Sequence, residues 1–163
     1  MNEKDRQILG LLEENSRLRP EQIATMLGMD EAEVAARVGE LEENKIIVKY
    51  HTLINWEKAG DEAVSALIEV KVTPQRDVGF QAVAERIGRF PEVKTLHLMS
   101  GTYDLAVFID GKSMRDVSNF VATKLATIDG VVSTTTHFVL KTYKQDGVIV
   151  EDDEDDRRLV VSP

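Results

Sequence analysis

The chain has 163 residues, enough for two small domains or one of medium size, and 42% of them are hydrophobic, so a core can be buried. It has no cysteine, which excludes disulfides, thiolate nucleophiles and cysteine-based zinc sites and suits a reducing cytoplasm. Net charge is −9, which argues against nucleic-acid binding by bulk charge alone, but it is uneven: residues 1–60 carry −4, residues 61–147 carry −1 and residues 148–163 carry −4.

The first helix is expected after Asn2, a good N-cap, with Glu3 and Asp5 in its first turn and Ile8, Leu9, Leu11 and Leu12 as its apolar face. Asn15-Ser16-Arg17 breaks it, and Pro20 suits the first position of a second helix carrying Ile23, Met26 and Leu27. Gly28-Met29 makes a turn. Asp30 then caps a third helix, with Glu33 placed for a capping box and Val34, Val38 and Leu41 as its buried stripe, ending at Asn44. Ile46 to Ile54 is rich in β-branched and aromatic residues and reads as a strand, the wing of a winged helix. These elements make residues 1–54 one domain, with 55–62 as a linker.

From Ala63 the period changes. Val64, Ala66, Ile68, Val70 and Val72 alternate as a strand ended by Pro74. Asp77 to Arg89 reads as helix, Val93 to Ser100 and Tyr103 to Asp110 as strands joined around Gly101-Thr102, and Ser113 as the cap of a helix with the stripe Val117, Phe120, Val121 and Leu125. Asp129-Gly130 turns into a last strand, Val131 to Tyr143. The order β-α-β-β-α-β predicts an α+β chain in which a ferredoxin-like domain, residues 63–144, follows the winged helix-turn-helix. Residues 145–163 form an acidic extension, expected as a solvated tail or as a hairpin or strand that adds to a sheet edge. No run approaches the ~18 apolar residues of a membrane-spanning helix. The start, Met1-Asn2-Glu3-Lys4-Asp5, lacks an export-signal pattern, so a cytoplasmic protein without membrane partners is expected.

The sharpest local signal is Ala24-x-x-x-Gly28-x-x-x-x-x-Val34. A small Ala24 lets two helices approach, Gly28 permits a left-handed turn, and Val34 locks the third helix onto the second, leaving its other face for a major groove. An ordinary αα-hairpin shares these features; the preceding amphipathic helix and following wing favour the DNA reader.

Asp5-Arg6-x-Ile8-Leu9, Ile23-Ala24 to Gly28, Val34-x-x-Arg37-Val38-x-x-Leu41-Glu42 and Ile46 to Tyr50 together resemble the DNA-binding half of the Lrp/AsnC, or feast/famine, regulators. Gly101-Thr102-Tyr103-Asp104, Gly130-Val131, Thr134-x-Thr136 and Lys144 resemble that family's effector-binding and assembly domain. The resemblance implies a transcription regulator, not an enzyme, that binds double-stranded DNA and a small effector, an amino acid, and assembles as a homodimer and then a higher homo-oligomer such as an octamer.

Arg37 is expected to take a phosphate or a base edge, with Arg17, Arg19, Lys45, Lys49 and Tyr50 adding backbone contacts. Glu31, Glu33, Glu40 and Glu43 on the same helix predict weak, salt-sensitive binding. A ligand-sensing oligomer with reduced DNA binding, acting through protein partners, is the alternative. For the effector, Gly101, Thr102, Tyr103 and Asp104 are candidates: the glycine turn exposes N–H groups to a carboxylate and Asp104 accepts from an α-ammonium. Thr134 and Thr136 share one strand face and offer hydroxyls. A plain β-turn with a solvated Asp104 fits the residues equally well; the resemblance favours a site. His51, His97 and His137 form no metal-ligand spacing, no catalytic triad or phosphate loop is present, and no cofactor is expected. Dimerisation is expected through the sheets, with Leu67, Leu96, Leu98, Val132, Phe138 and Leu140 on the covered face.

Overall fold

A computed structural model describes residues 1–60, 63–74 and 79–150. The chain divides into two compact units, Met1–Ile54 and Asn55–Pro163.

The first unit holds α1 (Glu3–Glu14), α2 (Pro20–Leu27) and α3 (Glu31–Glu43). Local chemistry sets each boundary. Asn2 Oδ1 accepts from Asp5 N–H at 3.0 Å while Asp5 Oδ2 accepts from Asn2 N–H at 2.6 Å, a reciprocal cap for α1. Pro20 opens α2, and Gln22 Oε1 accepts from Arg19 N–H at 3.0 Å. Gly28 ends α2 with φ 62°, a left-handed conformation that L side chains resist. Asp30 Oδ1 accepts from Ala32 and Glu33 N–H at 2.9 and 3.2 Å and starts α3. Glu33 does not complete the expected capping box, because its carboxylate is taken by Lys4 and Arg37 instead. Ile8, Leu12, Ile23, Ala24 and Val34 form the core, each under 10% exposed.

The expected wing strand, Ile46 to Ile54, is not formed. The segment has no strand structure, and among the described residues no segment pairs with it. β-Propensity suits a residue to a ladder but cannot replace a partner strand. Ile47 still packs against the core, while Val48 is 82% exposed.

The second unit holds β1 (Val64–Val72), α4 (Gln81–Gly88), β2 (Val93–Leu98), β3 (Leu105–Gly111), α5 (Met114–Phe120) continued by a π turn (Val121–Leu125), β4 (Val131–Phe138), and a short hairpin of β5 (Lys144–Gln145) and β6 (Val148–Ile149). Strands β2-β3-β1-β4 make one antiparallel sheet in that order, the ferredoxin-like arrangement. One face is covered by α4 and α5: Ile68, Val70, Leu105, Val107 and Ile109 meet Val83, Ile87, Val117 and Phe120 there. Phe90 and Phe120 add an edge-to-face pair at 5.5 Å.

Several boundaries differ from expectation, among them β2, which ends at Leu98 and not at Ser100. Helix α4 begins at Gln81; the earlier start expected at Asp77 lies outside the described residues. β3 begins at Leu105, after the 101–104 segment has bent. β4 stops at Phe138 and not at Tyr143: Phe138 faces Ala66, Val139 N–H makes one last bond to Ser65 O, and β1 itself begins at Val64, so it cannot pair a strand that runs to Tyr143. Asp146 and Gly147, with φ 47° and 81°, then form the two-residue turn that joins β5 to β6. Asn55 Nδ2 donates to Val150 O at 3.2 Å and ties the hairpin's end to the start of this unit. The acidic run from Glu151 onward lies outside the described residues.

Candidate functional site

In the first unit, α3 turns Val34 and Leu41 into the core and leaves Ala32, Ala35, Ala36, Glu40 and Glu43 exposed. This face differs from the expected one. Arg37 and Glu33 do not point outward; their side chains are 23% and 35% exposed. Arg37 Nη1 donates to Asp5 Oδ1 of α1 at 2.8 Å, and its Nε and Nη2 donate to Glu33 Oε1 at 3.0 and 2.9 Å. Lys4 Nζ reaches the two Glu33 oxygens at 3.0 and 3.3 Å. The Asn2 N–H, then Arg37, holds the Asp5 carboxyl below its ordinary range; Lys4, then Arg37, does the same for Glu33. Glu33, then Asp5, raises Arg37 further. The Glu33–Arg37 pair stands at i,i+4 spacing within α3, but the links to Asp5 and Lys4 cross from α3 to α1, and no local spacing announces them.

The other expected DNA-contacting residues lie before α2 and after α3. Arg17 is exposed, its N–H on Asn15 Oδ1 at 3.1 Å. Arg19 is 70% exposed at its side chain and pairs with Glu21 at 2.8 Å. Lys45, with φ 58°, and Lys49 are exposed. Tyr50 donates its hydroxyl to Glu42 Oε1 at 2.9 Å; burial, with Glu42 beside it, pushes the phenol up. That bond fastens the segment after α3 to α3 itself.

In the second unit, Asp104 is structural before anything else. Its N–H donates to Val70 O at 3.0 Å, its carbonyl accepts from Met99 N–H at 2.8 Å, and its carboxylate Oδ2 accepts from Val72 N–H at 2.8 Å. The side chain thus extends the β1–β3 ladder at the point where β1 shifts register against β4. Gly101 and Thr102 are exposed, and Tyr103 is half-buried. Gly101 is not in the left-handed region, so the expected anion nest is not built on its backbone. Thr134 and Thr136 lie opposite Val70 and Ile68 and share their face, half-buried. β1 stands between them and the β3 side that carries Asp104, two strand spacings or ~10 Å. A single chain therefore gathers Asp104 with Val72, and Thr134 with Thr136, but leaves the two groups apart.

A cavity among the described residues lies elsewhere, at the far end of β3. Its volume is about 220 Å³, and Glu92, Asp110, Asn119, Thr123 and Lys124 line it. Lys124 is hydrogen-bonded to Glu92 and holds that carboxyl below its ordinary range. None of the expected effector residues lines this cavity.

The sheet face away from the helices carries Leu67 beside Phe108, which is 38% exposed. His97 packs edge-on to Phe108 at 6.3 Å, and His137 Nε2 lies 3.3 Å from Glu69 Oε1. His97 and His137 sit on the two opposite edge strands. Two residues expected on this face, Leu96 and Phe138, instead pack into the helix-side core.

Comparison with known proteins gives this arrangement a family. The AsnC-type helix-turn-helix domain matches residues 1–42 and the Lrp/AsnC ligand binding domain matches residues 65–149. The chain is 54% identical over 164 residues to the HTH-type transcriptional regulator YugG of Bacillus subtilis, covering 100% of this chain and 99% of that one. It is 35% identical over 144 residues to the HTH-type transcriptional regulator PH0140 of Pyrococcus horikoshii, covering 88% and 89%. Among solved structures, the Neisseria meningitidis regulator NMB0573 in complex with L-Met superposes with a TM-score of 0.72 at 26% identity, covering 89% of this chain and 93% of that one. E. coli AsnC matches the fold with a TM-score of 0.69 at 21% identity, covering 89% and 95%. The helix-turn-helix unit, the ferredoxin-like unit and these matches agree: the chain belongs to the Lrp/AsnC family and is a DNA-binding transcriptional regulator with a ligand-binding domain, not an enzyme.

Proposed function

We propose that the chain is a sequence-specific regulator whose hold on DNA is set by a small effector, an amino acid. The observation that carries the DNA part is α3: one face is locked into the core by Val34 and Leu41, and the opposite face is exposed, with Ala32, Ala35 and Ala36 letting the backbone approach base edges beside Glu40 and Glu43. Arg17, Arg19, Lys45, Lys49 and Tyr50 supply phosphate contacts on either side of it in the sequence. The L-Met held by the Neisseria relative supports an amino-acid effector. Because β1 separates Asp104 from Thr134 and Thr136, the effector site with Gly101, Thr102 and Tyr103 is completed by another copy of the chain.

Two chains pack through the open sheet face around Leu67 and Phe108, and dimers join into a larger assembly such as an octamer. The paired α3 helices then meet half-sites ~34–36 Å apart in the cytoplasm. Differential binding of the effector to assembly states changes DNA affinity. Genome-wide mapping of bound DNA with and without added amino acids tests this reading; occupancy that ignores every amino acid removes the effector from it.

A second reading rests on the acidity of the DNA-facing unit, −4 over residues 1–60. There the oligomer senses ligand but acts through protein partners. A gel shift on the chain's own promoter region at low and high salt separates the two, since a true reader binds at low salt and releases as counterions compete.

A further inference from the structure

Arg37 is the only basic residue in α3, so a DNA reader would be expected to spend it on the groove. Its contacts give it a different role. We infer that Arg37 is a positioning residue, which with Asp5, Glu33 and Lys4 clasps α3 to α1 and sets the rotation at which the exposed face of α3 is presented to DNA. This rests on the reading of α3 as the DNA-facing helix.

Three observations carry it. The guanidinium has five N–H donors, and its Nε, Nη1 and Nη2 each already donate to a carboxylate within the unit. Lys4, Glu33, Arg37 and Asp5 alternate in sign and sum to zero, so no net cation is left to draw a phosphate. At ~100° per residue, the exposed face of Ala32, Ala35, Ala36, Glu40 and Glu43 is centred about 120° around the helix from Arg37. For Arg37 to reach a base, it would have to abandon Asp5 and Glu33, leaving the Asn2 N–H on Asp5 and Lys4 on Glu33 but no guanidinium between the two carboxylates. The partial burial of Asp5 and Arg37, 13% and 23% exposed, makes that exchange costly compared with releasing a fully solvated pair. Asp5 is also the reciprocal cap of Asn2, so the clasp joins α3 to the fixed start of α1.

The test uses the full chain, duplexes that the wild-type chain recovers from a randomised pool, and a mixed-sequence duplex of equal length. Dissociation constants are measured against salt for the wild type, Arg37→Gln, Asp5→Asn and the double variant. The clasp predicts that either single change lowers the preference for selected over mixed DNA by roughly tenfold, the scale of one lost base-pair contact. It predicts that the double variant is no worse than Arg37→Gln, and that the dependence on salt is the same for all four proteins. Should Arg37→Gln fail to fold, Asp5→Asn, which keeps an acceptor for Asn2, carries the test alone.

A fall in salt slope of about 0.9 per protomer for Arg37→Gln, with Asp5→Asn binding as tightly as wild type or tighter, would make Arg37 a phosphate contact and overturn the inference. Relaxed preference at one base position with Asp5→Asn unchanged would make it a base reader and do the same. Equal loss on selected and mixed DNA would reduce the clasp to general stability, which also overturns it. A wild-type chain that recovers no duplex would instead remove the DNA-facing reading on which the clasp depends.

Discussion

Replacing Asp104 separates a structural carboxylate from an effector contact. Its Oδ2 accepts from Val72 N–H at 2.8 Å, and Val72 is 6% exposed. Asp104→Ala deletes the acceptor and leaves a nearly buried amide with no substitute. A hydrogen bond to a charged acceptor contributes about 1.5–3 kcal/mol, and stranding its donor costs a similar amount. Asp104→Ala should therefore destabilise the second unit by about 2 kcal/mol, read as a shift in urea midpoint at constant slope. Asp104→Asn keeps an amide oxygen in the same place and should cost under about 1 kcal/mol. If the carboxylate also takes the α-ammonium of an effector, Asp104→Asn folds normally but loses the calorimetric signal for the amino acid that the wild type binds. Two variants that both lie within about 0.5 kcal/mol of wild type would refute the structural argument, because the Val72 amide would then have been satisfied without Asp104.

Other outcomes follow from the turn after α2, the clasp and the open sheet face. Gly28→Ala forces an L side chain into φ 62° and should cost about 1 kcal/mol in thermal stability, although open space surrounds the added Cβ. The depressed Asp5 and Glu33 carboxyls bind protons more weakly folded than unfolded, so their contribution is present above the unfolded carboxylate range, about pH 4. That contribution is lost as pH falls through the folded values, and circular dichroism of Arg37→Gln against pH should show a shallower acid loss than wild type. Phe108→Asp places a charge at the centre of the open sheet face and should yield monomers by light scattering where the wild type is dimeric; an unchanged mass would move the dimer contact elsewhere.

The parts that local chemistry determines are legible in the sequence. Asn2, Pro20, Gly28 and Asp30 mark helix ends because each acts on backbone groups within a few residues, and all four do so here. The alternation of Val64 to Val72 places β1 with its correct inward face for the same reason. Features set by distant partners are not legible. Arg37 meets Asp5 across 32 positions, and nothing in the spacing of α3 announces that pairing. The open face of the sheet departs from expectation because β2 slips register between Val93 and Thr95. That slip reverses the alternation of β2, so Leu96 turns to the helices, while Phe108 is left outside by the alternation of β3, between buried Val107 and Ile109. Asp146-Gly147 is a hairpin signal that the sequence does carry, but a strand expected to run to Tyr143 leaves no connection that would separate β5 from β4.

The position of β1 in the sheet has a consequence for how the protein is made. Both of its neighbours, β3 and β4, come later in the chain, so β1 leaves the ribosome with nothing to pair against. The helical unit has all of its buried residues by Leu41 and relies on local contacts, the kind that form quickly. During synthesis from the N-terminus, the half that meets DNA can thus be complete while the half that senses ligand is still an open strand awaiting its mates.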